Sequence, residues 1–361
     1  MTLSTPLLAA APLLAGLIGP ALLGAVPVRQ QADPPAVAPA PHVRRLDVVE
    51  HVAARTGADQ QRVLAYWTPE RMARAVPLDL PGLVKTGGRL LDGVAGRDGV
   101  RATPDLSGGK ALLSIPPRLT GSPRHLSAGR PRTSTVGSRW ITGGLVARTT
   151  GRVFLTVAGN DFVCSASTIR SANKDVVVTA GHCVKDGVGE WAANWTFVPG
   201  YGTNGPHPYG QYTARRMFVT GPWSRSGDDN YDVGMVALAT SRGRHVADVV
   251  GTQEIAFNAR RGGQAFGFGY PADPPYDGGH LVYCAGRLKK DPHGQTRDQG
   301  LGCDMTAGSS GGPWMTSFDT TTGKGTITSL SSFKYSDDKR TMYGPYFGDS
   351  VKALFETAQK A

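Results

Sequence analysis

The second half of the chain carries six short runs of β-branched and aromatic residues, which are separated by turns rich in Gly, Asn and Pro. These runs are VFLTV (153–157), VVVTA (176–180), DVGMVAL (232–238), QAFGFGY (264–270), HLVYCAG (280–286) and GTITSLSSF (325–333). Runs of this length predict β-strands. The 48 glycines and 26 prolines favour frequent turns over long helices. The pattern therefore predicts an antiparallel sandwich or barrel from about residue 140, with a terminal helix over Asp349–Gln359 that packs on the sheet.

The first 38 residues differ from the rest of the chain in amino-acid composition. Residues 6–26 are almost wholly apolar and small, as in the core of a signal peptide, although no Lys or Arg precedes them and the first is Arg29. An uncleaved anchor is the alternative, and Pro12 and Pro20 make it the weaker one. The Pro/Ala stretch over 31–42 predicts a linker. We therefore expect residues 1–38 to be a signal peptide or leader.

Between the leader and the strands, the pattern predicts a partly helical segment. Residues 43–75 are expected to be helical in two pieces, first Val43–Arg55 and then a helix that starts at Thr68-Pro69-Glu70, where proline suits the first turn. From Pro77 to Arg132 the composition predicts mostly irregular chain. We interpret residues 39–136 as a propeptide and residues 137–361 as the main domain.

The formal charge of +11 raises the question of a nucleic-acid partner. Residues 39–136 hold 15 Lys and Arg against 8 Asp and Glu, a net charge of +7. The part after residue 136 carries only +4 and has no dense basic run. A basic stripe on the main domain is not indicated, so nucleic-acid binding is not expected.

The four cysteines are Cys164, Cys183, Cys284 and Cys303. None forms a CxxC pair, so their spacing does not suggest zinc. An even number in an exported chain favours two disulfides, for which three connectivities are possible. The local pairing, Cys164 with Cys183 and Cys284 with Cys303, would close two loops of similar size. Buried free thiols are the alternative.

Two polar residues flank predicted strands in a way that suits proton transfer. His182 lies in Thr179–Cys183, just past the strand VVVTA, where it could act as a general base. A lone histidine of this kind is more often a structural residue of the core or surface whose ring nitrogens are hydrogen-bonded. Asp232 directly precedes the strand VGMVAL, and a carboxylate buried there would need a partner such as a histidine ring N–H. Asp228 and Asp229, in the polar loop before it, are expected to be solvated.

The third segment is the glycine-rich AGSSGGPW over 307–314. Its glycines permit a tight turn that presents the hydroxyl of Ser310 and brings backbone N–H groups towards one point. A Gly/Ser run alone is weak evidence, since most such runs are loops.

Together, TAGHC, DVGMVAL and GSSGGP in the order His, Asp, Ser resemble the trypsin/chymotrypsin-like serine peptidases over roughly residues 140–361. The resemblance implies an all-β fold, a chymotrypsin-like double antiparallel six-stranded β-barrel with a C-terminal helix. It also implies His182 as general base, Asp232 as the carboxylate that orients it and Ser310 as nucleophile, with the amides of Gly308 and Ser310 forming an oxyanion hole. CDMTAGSSGGPW and FGFGYP…YCAGR are similar to the bacterial branch related to glutamyl endopeptidases, and AYWTPERM resembles propeptides of such enzymes.

One departure from the family concerns activation. The family's common pattern has Asp before the nucleophile, where this chain has Ser309. The hypothesis is that removal of the propeptide unblocks the cleft without the ion pair that this Asp makes in digestive enzymes. Arg130, Arg132 and Arg139 are candidate processing sites.

The sequence is ambiguous about which residues select the substrate side chain. Asp304 lies six residues before Ser310, where trypsin-like enzymes keep a carboxylate that attracts Arg or Lys, although the glutamyl-specific branch can also carry Asp near there. The pocket histidine of that branch is missing near Ser331, and Lys334 falls where a small glycine usually lines the pocket. The expected substrate-binding set is Asp304, Ser331, Ser332, Phe333 and Lys334. Two solvated surface charges at Asp304 and Lys334 are an equally good interpretation.

Three other functions fit the sequence less well or differ only in anchoring. The Gly-x-Ser-x-Gly pattern around Ser310 fits an α/β-hydrolase, but in that fold the histidine follows the serine, and the last histidine here is His293. An inactive homologue that acts as an extracellular binding protein is disfavoured because all three triad members are present. A membrane-tethered form would keep residues 1–26. The sequence thus predicts a secreted, monomeric serine endopeptidase that acts on proteins or peptides and needs no metal or cofactor.

Overall fold

The computed structural model describes residues 47–78, 131–202 and 207–361. The predicted leader (1–38), the linker (31–42) and most of the stretch predicted to be irregular (77–132) lie outside these residues.

Seventeen strands lie among the described residues, most of them between residues 150 and 344. In chain order they are β1 (Val48–Val52), β2 (Val76–Pro77), β3 (Thr135–Arg139), β4 (Thr150–Val157), β5 (Asn160–Thr168), β6 (Val176–Thr179), β7 (Ala193–Pro199), β8 (Tyr212–Thr220), β9 (Gly234–Leu238), β10 (Glu254–Ile255), β11 (Gln264–Gly269), β12 (Val282–Arg287), β13 (Lys289–Lys290), β14 (Gln299–Gly302), β15 (Pro313–Asp319), β16 (Lys324–Leu330) and β17 (Thr341–Gly344).

The helices of the described residues are short. They are α1 (Gly57–Tyr66), α2 (Pro69–Arg74), α3 (Gly144–Thr149), α4 (Gly221–Ser226), a 3₁₀ helix (Asp229–Tyr231), α5 (Val246–Val250) and α6 (Asp349–Ala358). Helix α6 is the predicted C-terminal helix, and it packs its buried Val351 and Leu354 against β8 and β9.

Six antiparallel strands close into a barrel that carries the first part of the candidate site. Strands β4 to β9 pair in the order β8-β7-β4-β5-β6-β9, and β9 pairs back with β8. Every residue of β4 is buried, because the barrel core lies on one face and further packed chain on the other. The predicted all-β, chymotrypsin-like fold is confirmed by this barrel and by the C-terminal helix.

The second half forms a six-stranded sheet in the order β10-β16-β15-β11-β12-β3 and a three-stranded sheet, β13-β14-β17. The turn between β14 and β15 carries Ser310, and the chain after β16 carries Ser331 to Lys334. All six runs predicted to be strands contain strands of the structure.

The helix predicted for Val43–Arg55 is wrong. The described part of it contains strand β1, which pairs antiparallel with β8 from Val48 opposite Thr220 to Val52 opposite Arg216. The apolar spacing that suggested a helix is overridden by this pairing, to which β-branched residues are suited.

The helix predicted at Thr68-Pro69-Glu70 is confirmed as α2. The Thr68 hydroxyl accepts a hydrogen bond from the backbone N–H of Arg71, and Pro69 occupies the first turn. Helix α1 begins after a capping box formed by Thr56 and Asp59.

Two disulfides join Cys164 to Cys183 and Cys284 to Cys303. This is the local pairing among the three possible connectivities. The first bond ties β5 to the turn that holds His182, and the second ties β12 to the chain just after β14.

Candidate active site

His182 and Asp232 are joined by two hydrogen bonds beside the paired strands β6 and β9. The Nδ1 atom of His182 lies 2.7 Å from Asp232 Oδ2, and the His182 backbone N–H donates to Oδ1 over 2.8 Å. The two side chains are 1% and 0% exposed. Both residues follow from the same strand pair, since β6 and β9 are hydrogen-bonded with Thr179 opposite Gly234.

A third hydrogen bond stabilises the buried carboxylate of Asp232. The Ser332 hydroxyl donates to Asp232 Oδ2 over 2.5 Å. A buried carboxylate is costly unless it is paired, and these three donors satisfy it. The sequence placed Ser332 among the substrate-binding residues, and the structure places its hydroxyl on Asp232.

Ser310 lies in a tight turn that presses against the first barrel. Its carbonyl accepts a hydrogen bond from the backbone N–H of Ser165 over 2.7 Å. The next residue, Gly311, has φ +79°, and a Cβ there would lie 2.1 Å from the Thr179 hydroxyl oxygen and 2.4 Å from the Ser165 carbonyl oxygen. Only glycine fits this position, which explains the Ser-Gly sequence.

The backbone around Ser310 leaves two donors available. Among the described residues, neither the amide of Gly308 nor that of Ser310 donates a hydrogen bond, whereas the Gly308 carbonyl accepts one from the Ser165 hydroxyl over 2.9 Å. Gly308 has φ +93°. Two free amides beside a serine hydroxyl are the arrangement that an oxyanion hole requires.

The hydroxyl of Ser310 and the Nε2 atom of His182 are both buried, and neither has a hydrogen-bond partner within the described parts of the chain. Ser310 is 0% exposed. An unsatisfied buried donor–acceptor pair of this kind is unusual in a purely structural role.

Ser309, which stands where the family pattern has Asp, turns away from solvent. Its hydroxyl donates to the Thr306 carbonyl over 2.7 Å. It thereby closes the turn before Ser310 with a local hydrogen bond.

Asp304 is enclosed and does not extend freely into solvent. Its Oδ1 accepts a hydrogen bond from the Tyr276 hydroxyl over 2.7 Å, and its backbone N–H donates to the Val136 carbonyl over 2.6 Å. A Cβ at Gly137 would lie 2.0 Å from the same Oδ1 atom. Burial and the bond to Asp304 raise the pKa of Tyr276 well above its usual range.

Lys334 is likewise buried, with 8% of its surface exposed. Its ammonium donates to the carbonyls of Cys303 (2.7 Å) and Lys339 (2.6 Å). Burial lowers the pKa of Lys334 to about 8, and the nearby carboxylate of Asp304 opposes that shift. The interpretation as two solvated surface charges is therefore wrong for Lys334, which is buried, whereas Asp304 is half-buried.

The remaining residues of the predicted substrate-binding set face the protein interior. The Ser331 hydroxyl accepts a hydrogen bond from Trp314 Nε1 over 3.0 Å. The Phe333 ring stacks on Tyr343, with 5.4 Å between the ring centroids.

Two carboxylates near Asp232, Asp229 and Asp298, are not among the predicted site residues. Asp298 is 2% exposed, and neither of its carboxylate oxygens has a hydrogen-bond partner among the described residues. Burial, followed by the charges of Asp229 and Asp232, raises its pKa well above the usual range. The pKa of Asp229 rises to about 7, mainly through burial and then through Asp232 and Asp228. Asp229 is therefore half-buried, with its Oδ1 atom enclosed, and is not fully solvated as expected.

Cys164, His182 and Cys183 bring potential metal-ligand atoms within 4.8 Å of one another. A cysteine binds a metal as the thiolate. The two sulfurs are joined in a disulfide here, so this group does not fit a metal ion.

Residues 141–347 match the family model described as Trypsin. Among solved structures, the protease Anisep of Arthrobacter nicotinovorans is 40% identical, with a TM-score of 0.57, over 59% of this chain and 96% of that one. The thermostable serine protease AL20 from an extremophilic microorganism is 37% identical, also with a TM-score of 0.57, over 60% of this chain and 99% of its own. A Glu endopeptidase shares the fold at 17% identity, with a TM-score of 0.50, over 62% of this chain and 97% of that structure.

Two curated Bacillus proteins match shorter stretches. The glutamyl endopeptidase of Bacillus licheniformis is 42% identical over 72 residues, which is 19% of this chain and 22% of that protein. A Bacillus subtilis protein named extracellular metalloprotease is 41% identical over 75 residues, or 20% of this chain and 23% of that protein. The chain thus aligns with less than a quarter of the length of either relative.

The family match covers more than half of the chain. It agrees with the closed β-barrel and with the two solved serine proteases that align with about 60% of this chain. The chain therefore belongs to the trypsin family and is a serine endopeptidase.

Proposed function

We propose that this protein is a secreted serine endopeptidase in which Ser310, His182 and Asp232 act as the catalytic triad through an acyl-enzyme intermediate. The observation that carries the proposal is the buried Asp232–His182 pair, together with a buried serine hydroxyl at Ser310 and a buried His182 Nε2 atom that make no hydrogen bond within the described chain. The 2.7 Å contact fixes the ring so that Nδ1–H points to the carboxylate and Nε2 is free to accept a proton.

In the proposed mechanism, Ser310 Oγ attacks the carbonyl carbon of the scissile peptide bond while His182 Nε2 takes the hydroxyl proton. Asp232 stabilises the imidazolium through Nδ1–H. The amides of Gly308 and Ser310 donate to the oxyanion of the tetrahedral intermediate. His182 then gives its proton to the leaving amine, the acyl-enzyme forms, and water attacks it by the same route in reverse.

The intact chain is proposed to be a proenzyme, with residues 39–136 as the propeptide and 137–361 as the peptidase domain. Of the candidate sites, Arg139 lies inside the paired strand β3 and bonds to His280, so Arg130 and Arg132 are the better candidates.

We further propose that residues 1–38 direct export and that the mature enzyme works outside the cell as a monomer, without nucleic-acid or stable membrane association. The two disulfides and the naming of a relative as an extracellular protein support this compartment. None of the helices in the described ranges is long and apolar enough to cross a membrane. Protein and peptide substrates follow from the family.

Labelling by a fluorophosphonate probe tests the triad. Processed wild-type protein should be labelled on Ser310 and should hydrolyse casein, whereas Ser310→Ala should do neither. Ser309→Ala is the matched control, because it removes the adjacent hydroxyl and keeps the proposed nucleophile. Undiminished hydrolysis in Ser310→Ala would refute the assignment.

The same assay separates the alternative, a catalytically inactive homologue that acts as an extracellular binding protein. That protein would bind peptides without hydrolysing them, and its wild type would not react with the probe. A peptide library that varies the residue before the scissile bond would then show whether the pocket around Asp304 and Lys334 selects basic, acidic or apolar side chains.

A further inference from the structure

Residues 47–78, named here the docking segment, are built onto the outside of the first barrel. Strand β1 adds to β8 along five residue pairs, and the backbone pairing continues beyond it. The amides of Ala53 and Ala54 donate to the carbonyls of Arg215 (3.1 Å) and Ala214 (3.0 Å). At the other end of the segment, β2 pairs in parallel with β5, and the Leu78 amide donates to the Val163 carbonyl.

The apolar anchor of the docking segment is Trp67. Its side chain is 3% exposed and packs on the Phe154 ring, with 5.5 Å between the ring centroids, while its Nε1–H donates to the Asn194 carbonyl. Met72 and Val163 belong to the same buried cluster. A buried Trp with a satisfied N–H is the kind of residue that carries most of the energy of a protein–protein interface.

Charged groups fix the segment at both ends. Arg216 makes two hydrogen bonds to the Glu50 carboxylate, at 2.8 and 2.7 Å. At the other end, Asp161 accepts from the Tyr66 hydroxyl (2.8 Å) and from Arg71 (3.2 Å). Such pairs add little affinity each, but they fix the register of the strand.

The segment lies apart from the candidate triad. Within the described ranges, it makes no hydrogen bond or ion pair with His182, Asp232 or Ser310. Its link to the site is indirect, through Asp47. The Asp47 carboxylate pairs with Arg225, and its carbonyl accepts from the Gly221 amide over 2.8 Å.

Both of these partners of Asp47 belong to helix α4, which also carries Trp223. The ring of Trp223 lies 6.4 Å from the His182 ring, centroid to centroid, and its Nε1–H donates to the Lys185 carbonyl over 2.9 Å. The docking segment therefore supports the wall against which the candidate base is held.

We propose that residues 47–78 remain bound to the peptidase domain after the chain is cut at Arg130 or Arg132, and that they act as a second, non-covalent chain that stabilises the first barrel without inhibiting the site. The occupant of the β8 edge is thus a named part of this chain. The inference rests on the processing proposed above, but its test needs no peptidase activity.

The experiment uses the full chain with Ser310→Ala and a recognition site for a sequence-specific protease inserted between Gly108 and Gly109. After complete cleavage, native size-exclusion chromatography and intact-mass measurement follow both pieces at micromolar concentration. We expect them to elute together. Separate elution of the N-terminal piece would overturn the proposal.

Interface variants test whether the observed contacts hold the pieces together. Trp67→Ala should weaken their association at least about a hundredfold, because truncating a buried Trp commonly has an effect of that size. Arg62→Ala is the control, since Arg62 is exposed and, among the described residues, its ion pair is with Asp59 inside the segment. Met72→Ala removes a smaller part of the same cluster and serves if Trp67→Ala prevents folding. Equal retention in all of these variants would contradict the assignment.

The same cleavage in a chain that keeps Ser310 separates this inference from the proposed function. If the function is correct and the bound segment does not inhibit, the co-eluting complex reacts with the fluorophosphonate probe. Labelling that appears only after the segment is stripped off would refute the non-inhibitory role. Co-elution without any labelling in either state would leave the docking proposal supported and would count against the proposed triad.

Discussion

The carboxylates of Asp298, which is buried, and of Asp229, which is half-buried with an enclosed Oδ1 atom, make a specific prediction about stability and pH. Burial and the neighbouring carboxylates raise the pKa of Asp229 to about 7, against 3.8 for the unperturbed group. Between those values the folded protein holds a proton that the unfolded chain has released. Because stability falls with pH wherever the folded state binds more protons, the free energy of unfolding should decrease as pH rises from about 4 to about 7.

The size of the effect follows from the same shift. The difference between 7 and 3.8 is about 3 pKa units, and at 1.36 kcal/mol for each unit this is on the order of 4 kcal/mol. Asp229→Asn removes the charge that must otherwise form in a buried place. We therefore expect it to raise the unfolding free energy at pH 8 by about 2–4 kcal/mol, and to leave it nearly unchanged at pH 4.

The measurement is urea unfolding at pH 4, 5, 6, 7 and 8 in the Ser310→Ala background, which prevents self-digestion. Asp298→Asn should act in the same direction, because Asp298 is 2% exposed and its oxygens have no partner among the described residues. The control, Asp337→Asn, makes the same charge change at an exposed position. If Asp229→Asn shows the wild-type slope between pH 4 and 7, the reasoning from burial is wrong.

Three further predictions concern single contacts. Ser332→Ala removes the 2.5 Å hydrogen bond to Asp232 and should lower kcat/KM on a peptide substrate roughly 10- to 100-fold, with little change in Tm. An unchanged kcat/KM would contradict the prediction. Replacing both Cys284 and Cys303 by Ala removes a disulfide that links positions 19 residues apart, and should lower the free energy of unfolding by about 3 kcal/mol. Urea titration measures the change, and a loss below about 1 kcal/mol would count against the prediction. Burial lowers the pKa of Lys334 from 10.5 to about 8, so the folded protein releases this proton at a lower pH than the unfolded chain does. The free energy of unfolding should therefore rise by up to about 3 kcal/mol between pH 8 and 10.5. Lys334→Met should abolish that rise, and a rise that persists in the variant would refute the prediction.

The strands of the two halves could be predicted from the sequence because their signal is local. VFLTV and VVVTA are β-branched runs that end at turn residues, and they form β4 and β6. The candidate triad could be predicted for a related reason: His182 and Asp232 each lie beside such a strand, and the pairing of β6 with β9 brings them together. The role of these residues in catalysis remains a prediction.

Other features depend on contacts between distant parts of the chain, which no local pattern records. The stretch 48–52 became a strand because its partner, β8, lies more than 160 residues further on. The Ser332 hydroxyl meets Asp232 across 100 residues. Asp229 looked solvated because its own loop is polar, whereas its burial comes from the tertiary fold.

The position of Ser165 has a consequence for folding. This residue of the first barrel binds the turn of the second half through its amide, which donates to the Ser310 carbonyl, and through its hydroxyl, which donates to the Gly308 carbonyl and accepts from the Tyr270 amide over 2.9 Å. The turn that holds Ser310 is therefore shaped by both halves at once. A partly folded chain with only one half formed would lack the turn that presents the serine, so a reactive Ser310 should appear in a single cooperative step together with the native state.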